Sequence, residues 1–323
     1  MKRFTSLALT FAGLALLTAC STPRLETPVP LGTQEKAALL NRAKAPQVFG
    51  LTAYSSPEGA VFAGGFRQHQ GHVARVAFAS DPNTTTPAVK VNDDKLIMLL
   101  DSSASESWIT TEAVATLKAI ALAGPNPFEK TPRHVYDTIG GFATVVPRLT
   151  IDKLHVGNVI AYARNARGPL GALTRWEKSP PFDGVLGADF LRTFRFTRIS
   201  LRGRYLVFSA TDAYPPPAAP LATLPTIDLN GAIAVEALVN GEKTPAILDI
   251  AGDFEVAMGS SDQPVIRQLS LGDLVFRQVN VDSAYELGLG RDTPLRIGRQ
   301  LLERFDLVIN NQGREVIFER PVQ

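Results

Sequence analysis

Cysteine is almost absent from this chain, since Cys20 is the single cysteine among 323 residues. An internal disulfide is therefore excluded, and the folded part has to be stabilised by its own core. An excess of charge of one sign is also lacking, because 33 Lys and Arg stand against 31 Asp and Glu, and Lys2 and Arg3 account for the difference. This balance argues against a nucleic-acid-binding protein.

Several catalytic signatures are missing as well. The sequence has no Gly-x-Ser-x-Gly segment, no phosphate-binding loop and no dinucleotide-binding fingerprint, so these common nucleophile and nucleotide sites are not indicated. Hydrophobic residues make up 45% of the chain and charged residues 20%, which is the composition of an ordinary globular protein. The length is sufficient for two domains.

The longest apolar run lies near the N terminus, from Leu7 to Leu17, and follows two basic residues. It is short for a membrane span, and its order is typical of an export signal. LTAC (residues 17–20) resembles the lipobox of bacterial lipoproteins. This resemblance implies a signal peptide over 1–20, lipidation of Cys20 and, because Ser21 follows, an outer-membrane protein facing the periplasm. The alternative is an ordinary signal peptide with an incidental cysteine.

The remaining chain repeats one unit twice. VNDDKLIMLLD (residues 91–101) and VNGEKTPAILD (239–249) are identical at five of eleven positions, where chance gives about one. The correspondence continues with LHVGNVI (154–160) against LSLGDLV (269–275), LGADFLRTF (186–194) against IGRQLLERF (297–305), and RGRYLVF (202–208) against QGREVIF (312–318). Two lobes related by an approximate two-fold axis are predicted, each with one aspartate at the end of an apolar strand.

The repeat and the composition together predict the domain boundaries. Prolines cannot donate to a strand ladder and they stiffen the backbone, so the proline-rich stretch between the copies is read as a linker. The predicted organisation is a tether over 21–47, a first lobe over 48–212, a linker over 213–225 and a second lobe over 226–323.

Short segments rich in β-branched and aromatic residues predict a mainly β fold with few short helices. The longest predicted helix spans Thr111–Leu122, with Thr110 or Thr111 as its cap and Glu112 in its first turn. Asp189–Phe194 and Gln300–Phe305 have the apolar spacing of one or two helical turns.

Asp101 carries the most specific motif, because it follows a buried apolar run and precedes a loop of small residues. LLDSSASESWI (99–109) resembles the signature of the retropepsin-like and pepsin-like aspartic proteases, in which two apolar residues precede Asp-Thr/Ser-Gly-Ala/Ser. FDGVLGADFL (182–191) resembles their later apolar-apolar-Gly segment. The resemblance implies two pseudo-symmetric acid-protease-like β-barrel lobes with an active site in the cleft between them.

In that family Asp101 and Asp249 would form the catalytic pair, with Ser102 and Ser103 at the substrate side of the first loop. Two adjacent carboxylates share one proton, so that one can activate a water and the other can protonate the substrate carbonyl. The resemblance implies a peptide or protein substrate and requires no metal and no organic cofactor. The sequence leaves the oligomeric state open.

The motif departs from the family in both lobes. Ser103 and Ala251 stand where the family has glycine, and Ile250 stands where it has a Thr or Ser that hydrogen-bonds across to the other loop. Half of that cross-lobe support is therefore expected to be missing. A non-catalytic, peptide-binding or scaffolding lipoprotein on the same fold is the alternative to a peptidase.

The first lobe also has an insertion, since Asp101 to Leu154 is much longer than Asp249 to Leu269. Within it HVYDTIGGFA (134–143) is a hairpin candidate where the family has its flap, with Tyr136 as the flap aromatic and Gly140 and Gly141 at the tip. A surface hairpin with no gating role is the alternative. His69 and His72 have a spacing compatible with a metal, but no cysteine or acidic pair completes a site.

Overall fold

The structure is a computed structural model. It describes residues 33–56, 59–65, 68–123, 142–164, 182–215, 219–259, 264–284, 287, 289 and 293–321. Strands make up nearly all of its regular structure, and the α-helices among these residues have between four and eight residues each. The prediction of a mainly β fold with few short helices is confirmed.

The first half of the chain forms thirteen strands within the described ranges. They are β1 (Leu51–Ser56), β2 (Gly59–Gly64), β3 (Gln68–Gln70), β4 (Val73–Ala77), β5 (Ala88–Val91), β6 (Leu96–Leu100), β7 (Trp108–Thr110), β8 (Ile120–Ala121), β9 (Phe142–Ile151), β10 (Leu154–Arg164), β11 (Gly184–Leu186), β12 (Phe196–Ser200) and β13 (Tyr205–Ser209).

The second half repeats the arrangement. Its strands are β14 (Ala222–Pro225), β15 (Ile227–Leu229), β16 (Ala232–Val239), β17 (Glu242–Asp249), β18 (Val256–Met258), β19 (Val265–Leu271), β20 (Leu274–Ser283), β21 (Leu295–Gly298), β22 (Asp306–Asn310) and β23 (Glu315–Glu319). The helices are α1 (Thr33–Leu40), α2 (Thr111–Thr116), α3 (Ala188–Leu191) and α4 (Arg299–Leu302), with a 3-10 turn over Pro46–Phe49.

The two lobes share one sheet topology. In the first lobe the neighbouring strands run β6, β11, β7, β10, β9, and in the second they run β17, β21, β18, β20, β19. Going along each series, the pairs are parallel, antiparallel, parallel and antiparallel in both lobes. Two pseudo-symmetric lobes, as the repeat predicts, are therefore seen in the strand pairing itself.

A third sheet joins the lobes. Its order is β14, β23, β22, β12, β13, β4, so each half of the chain supplies three strands and the antiparallel pair β12 and β22 lies at the centre. β14 falls within the stretch predicted as the linker. Ile199 pairs with Leu307 in this central ladder, and both side chains are fully buried. The lobes are thus continuous through backbone hydrogen bonds and not merely tethered by the linker.

The repeat extends to individual backbone hydrogen bonds. Asn92 and Asn240, which are identical in the aligned motif, both adopt positive φ, at 52° and 51°. In the first lobe the Asn92 N–H donates to the Thr150 carbonyl, and the Asn92 side-chain oxygen accepts from the Thr150 N–H. In the second lobe Asn240 makes the same two hydrogen bonds with Gln268. Asn tolerates this left-handed conformation better than most residues.

One part of the sequence alignment between the copies is wrong. The turn between β9 and β10 spans Ile151 to Leu154, and the matching turn between β19 and β20 spans Leu271 to Leu274. Leu154 therefore corresponds to Leu274 and not to Leu269. Both strands of each hairpin contain a leucine near the turn, so the sequence alignment set β10 against β19, which is the counterpart of β9.

The predicted helix over Thr111–Leu122 is also too long. Thr110 caps it by accepting from the Ala113 N–H at 3.3 Å, as predicted, but α2 ends at Thr116. Lys118 has a φ of 52°, which turns the chain, and the following residues form β8 on the edge of β9. Pairing with the sheet has replaced the last turns of the helix.

One large hydrophobic core runs through both lobes. It includes Phe190 and Phe208 of the first half together with Leu307 and Phe318 of the second, each at most 1% exposed. The predicted tether is partly structured, because Lys44 forms a bridge with Leu122 at the β8 edge. Among the described residues, no helix has the length and apolarity that a membrane span requires.

Candidate active site

Two matched strands deliver Asp101 and Asp249 to the same place. Asp101 follows β6, and its N–H donates to the Leu186 carbonyl of β11 at 3.0 Å. Asp249 ends β17, opposite Gly298 of β21. Both side chains are fully buried. A Cβ atom on Gly298 would lie 2.2 Å from the Phe254 carbonyl oxygen, so only glycine permits the loop to approach this closely.

The loop after β6 wraps the Asp101 carboxylate in donors. Its Oδ1 accepts from the Ser103 N–H at 2.8 Å, the Ser103 hydroxyl at 2.6 Å and the Ala104 N–H at 3.3 Å. Ser103 stands at the family's glycine position, and its side chain adds a hydroxyl that glycine cannot supply. The departure thus places a new polar group directly on the candidate catalytic carboxylate.

The Asp249 carboxylate has a different environment. Its Oδ1 accepts from the Gly252 N–H at 2.7 Å, and its Oδ2 accepts from Nη1 of Arg296 at the same distance. Arg296 is itself fully buried. Nη1 of Arg296 also donates to the Ser103 hydroxyl at 3.2 Å. A continuous chain of contacts therefore links the two carboxylates through Arg296 and Ser103.

Ser102 connects the two loops directly. Its hydroxyl donates to the Leu248 carbonyl and accepts from the Ile250 N–H at 3.3 Å, while its own carbonyl accepts from the Ile233 N–H at 3.0 Å. Ile250 occupies the matching place in the second loop and has no hydroxyl to return the contact. Of the two matched positions, Ser102 and Ile250, only Ser102 thus makes a side-chain hydrogen bond to the other loop.

The two carboxylates interact electrostatically. Burial raises the pKa of Asp249 from an ordinary 3.8 to about 6, and the charge of Asp101 acts in the same direction. Arg296 and the Gly252 N–H oppose this rise. Neighbouring negative charges disfavour double ionisation in a buried site, which is the behaviour expected of a carboxylate pair that can hold one proton.

Arg296 is the residue that sequence reasoning missed. The register of β21 on β17 and of β11 on β6 makes Arg296 the counterpart of Val185. Val185 is buried in an apolar cluster, as the pattern of β11 suggests. The aligned segments stop one residue short of this pair, and extending them would have shown a cation opposite a valine.

A second cation lies near the pair. Arg299, at the start of α4, forms an ion pair with Asp253 at 2.6 Å and donates to the Thr85 hydroxyl of the first lobe. Burial lowers the pKa of Arg299, while the charges of Asp253, Glu303 and Asp249 raise it. Arg299 therefore belongs to the charged surroundings of Asp249.

An apolar cluster also brings the two lobes and an N-terminal hairpin together. Its buried members include Ala104, Trp108 and Tyr162 of the first lobe and Ala251 and Phe254 of the second. Leu51 of β1 and Phe62 of β2 belong to the same cluster. The β1–β2 hairpin thus packs on residues that neighbour both aspartate loops.

Several predicted site residues lie outside the described part of the chain. They are Cys20, Tyr136, Gly140 and Gly141. His69 and His72 are described, and His72 Nδ1 lies 2.9 Å from the Thr211 hydroxyl while the His69 ring packs 5.3 Å from that of Phe194. No group of three or more potential metal ligands occurs among the described residues.

Solved structures and a protein-family model match this chain. The crystal structure of the aspartic proteinase from Irpex lacteus is similar at a TM-score of 0.46 and 12% identity, over 77% of this chain and 97% of that chain. No curated protein matches the sequence. Residues 88–190, which include Asp101 and both of its neighbouring strands, match the family model described as an aspartyl protease. The sequence similarity to the aspartyl protease family therefore covers residues 88–190, around the motif at Asp101 that predicts it.

Proposed function

We propose that this protein is an aspartic-type peptidase in which Asp101 and Asp249 activate a water molecule against a peptide bond. The observation that carries the proposal is the meeting of two buried carboxylates from matched loops, where burial and then the charge of Asp101 raise the pKa of Asp249. The match of residues 88–190 to an aspartyl protease family model supports the same chemistry.

The mechanism follows from one proton shared by two carboxyl groups. The ionised group accepts a proton from water, which attacks the carbonyl carbon, while the protonated group donates to the carbonyl oxygen. Collapse of the resulting tetrahedral intermediate breaks the C–N bond, and a proton passes to the leaving amine. Ser102 fixes the spacing of the two loops through its contacts with Leu248 and Ile250.

We propose further that the protein is exported and anchored through a lipid on Cys20, on the outer membrane facing the periplasm. The N-terminal run and the lipobox-like LTAC segment support this location. Metabolic labelling with a radioactive fatty acid should mark the wild-type chain and leave Cys20→Ala unlabelled. Equal labelling of both proteins would contradict the anchor.

A non-catalytic peptide-binding protein is the second candidate, and two observations favour it. Both aspartates are fully buried, and one of them is ion-paired with Arg296. A carboxylate held in this way is a weaker base toward water. A closed site of this kind must open before any peptide reaches it.

Single substitutions separate the two candidates. Asp101→Asn and Asp249→Asn should each abolish cleavage of a mixed peptide pool across pH 3 to pH 8, because either change removes one partner of the acid-base pair. Rate losses of at least about 10²-fold are expected for one general acid or base.

Asp183→Asn is the matched control for this experiment. Asp183 accepts from the Ile97 N–H of β6 at 2.8 Å, so it contacts the same strand that ends at Asp101, and an amide oxygen can keep that contact. Asp183→Asn should retain activity. Cleavage that survives both Asp101→Asn and Asp249→Asn contradicts the peptidase proposal, and a wild-type protein without activity at any pH favours the peptide-binding candidate.

A further inference from the structure

Arg296 is a fully buried cation in contact with the candidate catalytic pair. It lies within β21, and its Nη1 is 2.7 Å from Oδ2 of Asp249. A buried guanidinium is strongly destabilising unless an anion lies beside it. Asp249 supplies that anion, so the two groups have to be considered together.

The repeat shows that the fold does not require this cation. Val185 occupies the equivalent place in β11, and it packs there among apolar residues. The strand pairing is the same with valine or arginine at this place, so the arginine is not needed for the sheet topology.

The charges at the site can be counted. Two adjacent carboxylates in a buried cleft cannot both ionise readily, and without a cation they retain one proton between them. Arg296 adds one positive charge in hydrogen-bond contact with Asp249 and reaches Asp101 through the Ser103 hydroxyl. The fixed positive charge of Arg296 therefore offsets the negative charge that the shared proton offsets in a pair without a cation.

We propose that Arg296 is a positioning residue whose positive charge takes the place of the shared proton and holds Asp249 as a carboxylate. The singly protonated pair, which is the form competent for catalysis, is thereby confined to acidic solution. The proposal rests on the proposed peptidase function, which it deepens by assigning the control of its pH range. Ser103 contributes to this effect because its hydroxyl contacts both Arg296 and Asp101.

Other charges surround the pair, and they are the same in every variant compared below. Arg299 at the start of α4 is paired with Asp253 in the loop before β18, and the charge of Glu303 raises the pKa of Arg299. Arg299 interacts with Asp249 but forms its ion pair with Asp253. Arg296 is thus the cation in direct contact with the Asp249 carboxylate among the described residues.

Arg296→Val tests the proposal by installing the residue that the first lobe has at this position. The full-length protein is labelled with ¹³C at the aspartate side-chain carboxyl carbons, and Asp249→Asn assigns the Asp249 signal. The Asp249 carboxyl should titrate about one to three pH units higher in Arg296→Val than in wild type, because an adjacent opposite charge has been removed. The alkaline limb of the peptidase rate should move upward by the same amount.

Arg296→Lys and Arg198→Val are the controls. The lysine keeps a positive charge beside Asp249 and should hold the midpoint close to the wild-type value. Arg198 is an arginine on β12 that bridges Asp306 and Glu319 in the central sheet, at 2.9 and 3.0 Å. Its replacement by valine should lower stability without moving the Asp249 titration.

The outcomes distinguish this proposal from the peptidase proposal. A titration midpoint that is the same in wild type and in folded Arg296→Val overturns the role of Arg296, whatever the activity. If the titration midpoint of Asp249 is shifted in Arg296→Val but neither protein cleaves any peptide, the role of Arg296 is supported and the peptidase proposal is contradicted. If Arg296→Val does not fold at neutral pH, Arg296→Gln and measurements begun at pH 5, where Asp249 is protonated, give the same comparison.

Discussion

At the scale of single residues, a second acidic pair lies close to the first aspartate loop. Burial raises the pKa of Glu106 to about 8, and the charge of Asp189 adds to the rise. The Ser107 hydroxyl donates to Asp189 at 2.7 Å and accepts from the Gly187 N–H at 3.0 Å. Glu106 therefore carries a proton in the folded protein at neutral pH, when a glutamate in the unfolded chain is ionised.

This difference predicts a pH-dependent stability. A raised pKa means that folding binds a proton, so the stabilisation from Glu106 is complete below about pH 4.5 and is lost as the pH rises through about 8. Between these values the free energy of unfolding should fall by about 1.4 kcal/mol per pH unit from this group. In urea unfolding experiments from pH 5 to pH 9, the free energy of unfolding should fall less steeply with pH for Glu106→Gln than for wild type.

Glu112→Gln is the control for this prediction. Glu112 lies exposed in the first turn of α2, so its replacement should leave the slope unchanged. An identical slope in Glu106→Gln and wild type would mean that Glu106 is already ionised in the folded protein at neutral pH. The slope that remains in Glu106→Gln includes the contribution of Asp249, whose pKa is raised for a related reason.

The sequence predicts the two aspartates but not their environment. Asp101 and Asp249 could be found because each ends an apolar strand in a repeated motif, which is a local pattern. Arg296 lies far along the chain from Asp101 and within an otherwise apolar strand. Its contact with Asp249 depends on the parallel pairing of β17 and β21, which no local pattern encodes.

At the scale of elements, the β1–β2 hairpin is attached to the body of the protein mainly by side chains. Its two strands pair with each other as a separate two-stranded sheet. Phe62 and Leu51 are buried in the cluster that contains Trp108 and Tyr162. A two-stranded hairpin has little stability alone, so this packing has to hold it in place.

Replacing Phe62 by alanine should loosen the hairpin. Loss of a buried phenylalanine costs about 3–5 kcal/mol, and the cost should appear first as local opening because few backbone hydrogen bonds tie the hairpin to either lobe. Hydrogen exchange followed by mass spectrometry should show at least about tenfold faster exchange of the β1 and β2 amides, with little change in β17.

Tyr54→Ala provides the comparison within the same hairpin. Tyr54 is an aromatic residue of β1 that is 53% exposed, so its loss should change hairpin exchange little. Equal acceleration by Phe62→Ala and Tyr54→Ala would show that strand pairing, and not the buried cluster, holds the hairpin. Acceleration spread evenly over both lobes would show that the hairpin does not open by itself.

Elements were predicted best where the pattern is local. The turns into β13 and β23 and the strands themselves, RGRYLVF and QGREVIF, align as expected, and Arg204 and Arg314 both take positive φ at 57° and 53°. The end of α2 could not be predicted, because Ile120 and Ala121 satisfy a helical pattern equally well and pair with β9 only once the sheet exists.

At the scale of the whole molecule, the central sheet makes the two lobes one folding unit. The pair β12 and β22 joins them by backbone hydrogen bonds, and the main core contains buried residues of both halves. The sequence indicates two lobes and a linker, which would equally fit two independent domains. The joining sheet depends on strands from opposite ends of the chain and is visible only in the fold.

Leu307→Ala tests this unity. Leu307 pairs with Ile199 across the lobe boundary and is 1% exposed, so the change should cost about 2–5 kcal/mol. If the lobes unfold together, urea denaturation keeps a single transition at a lower midpoint, and amide exchange accelerates alike in β10 and β20. Val275→Ala is the control, because Val275 lies in β20 but is 52% exposed. Acceleration confined to β20 in Leu307→Ala would mean that the second lobe opens alone, because a shared core would transmit the lost packing to both halves.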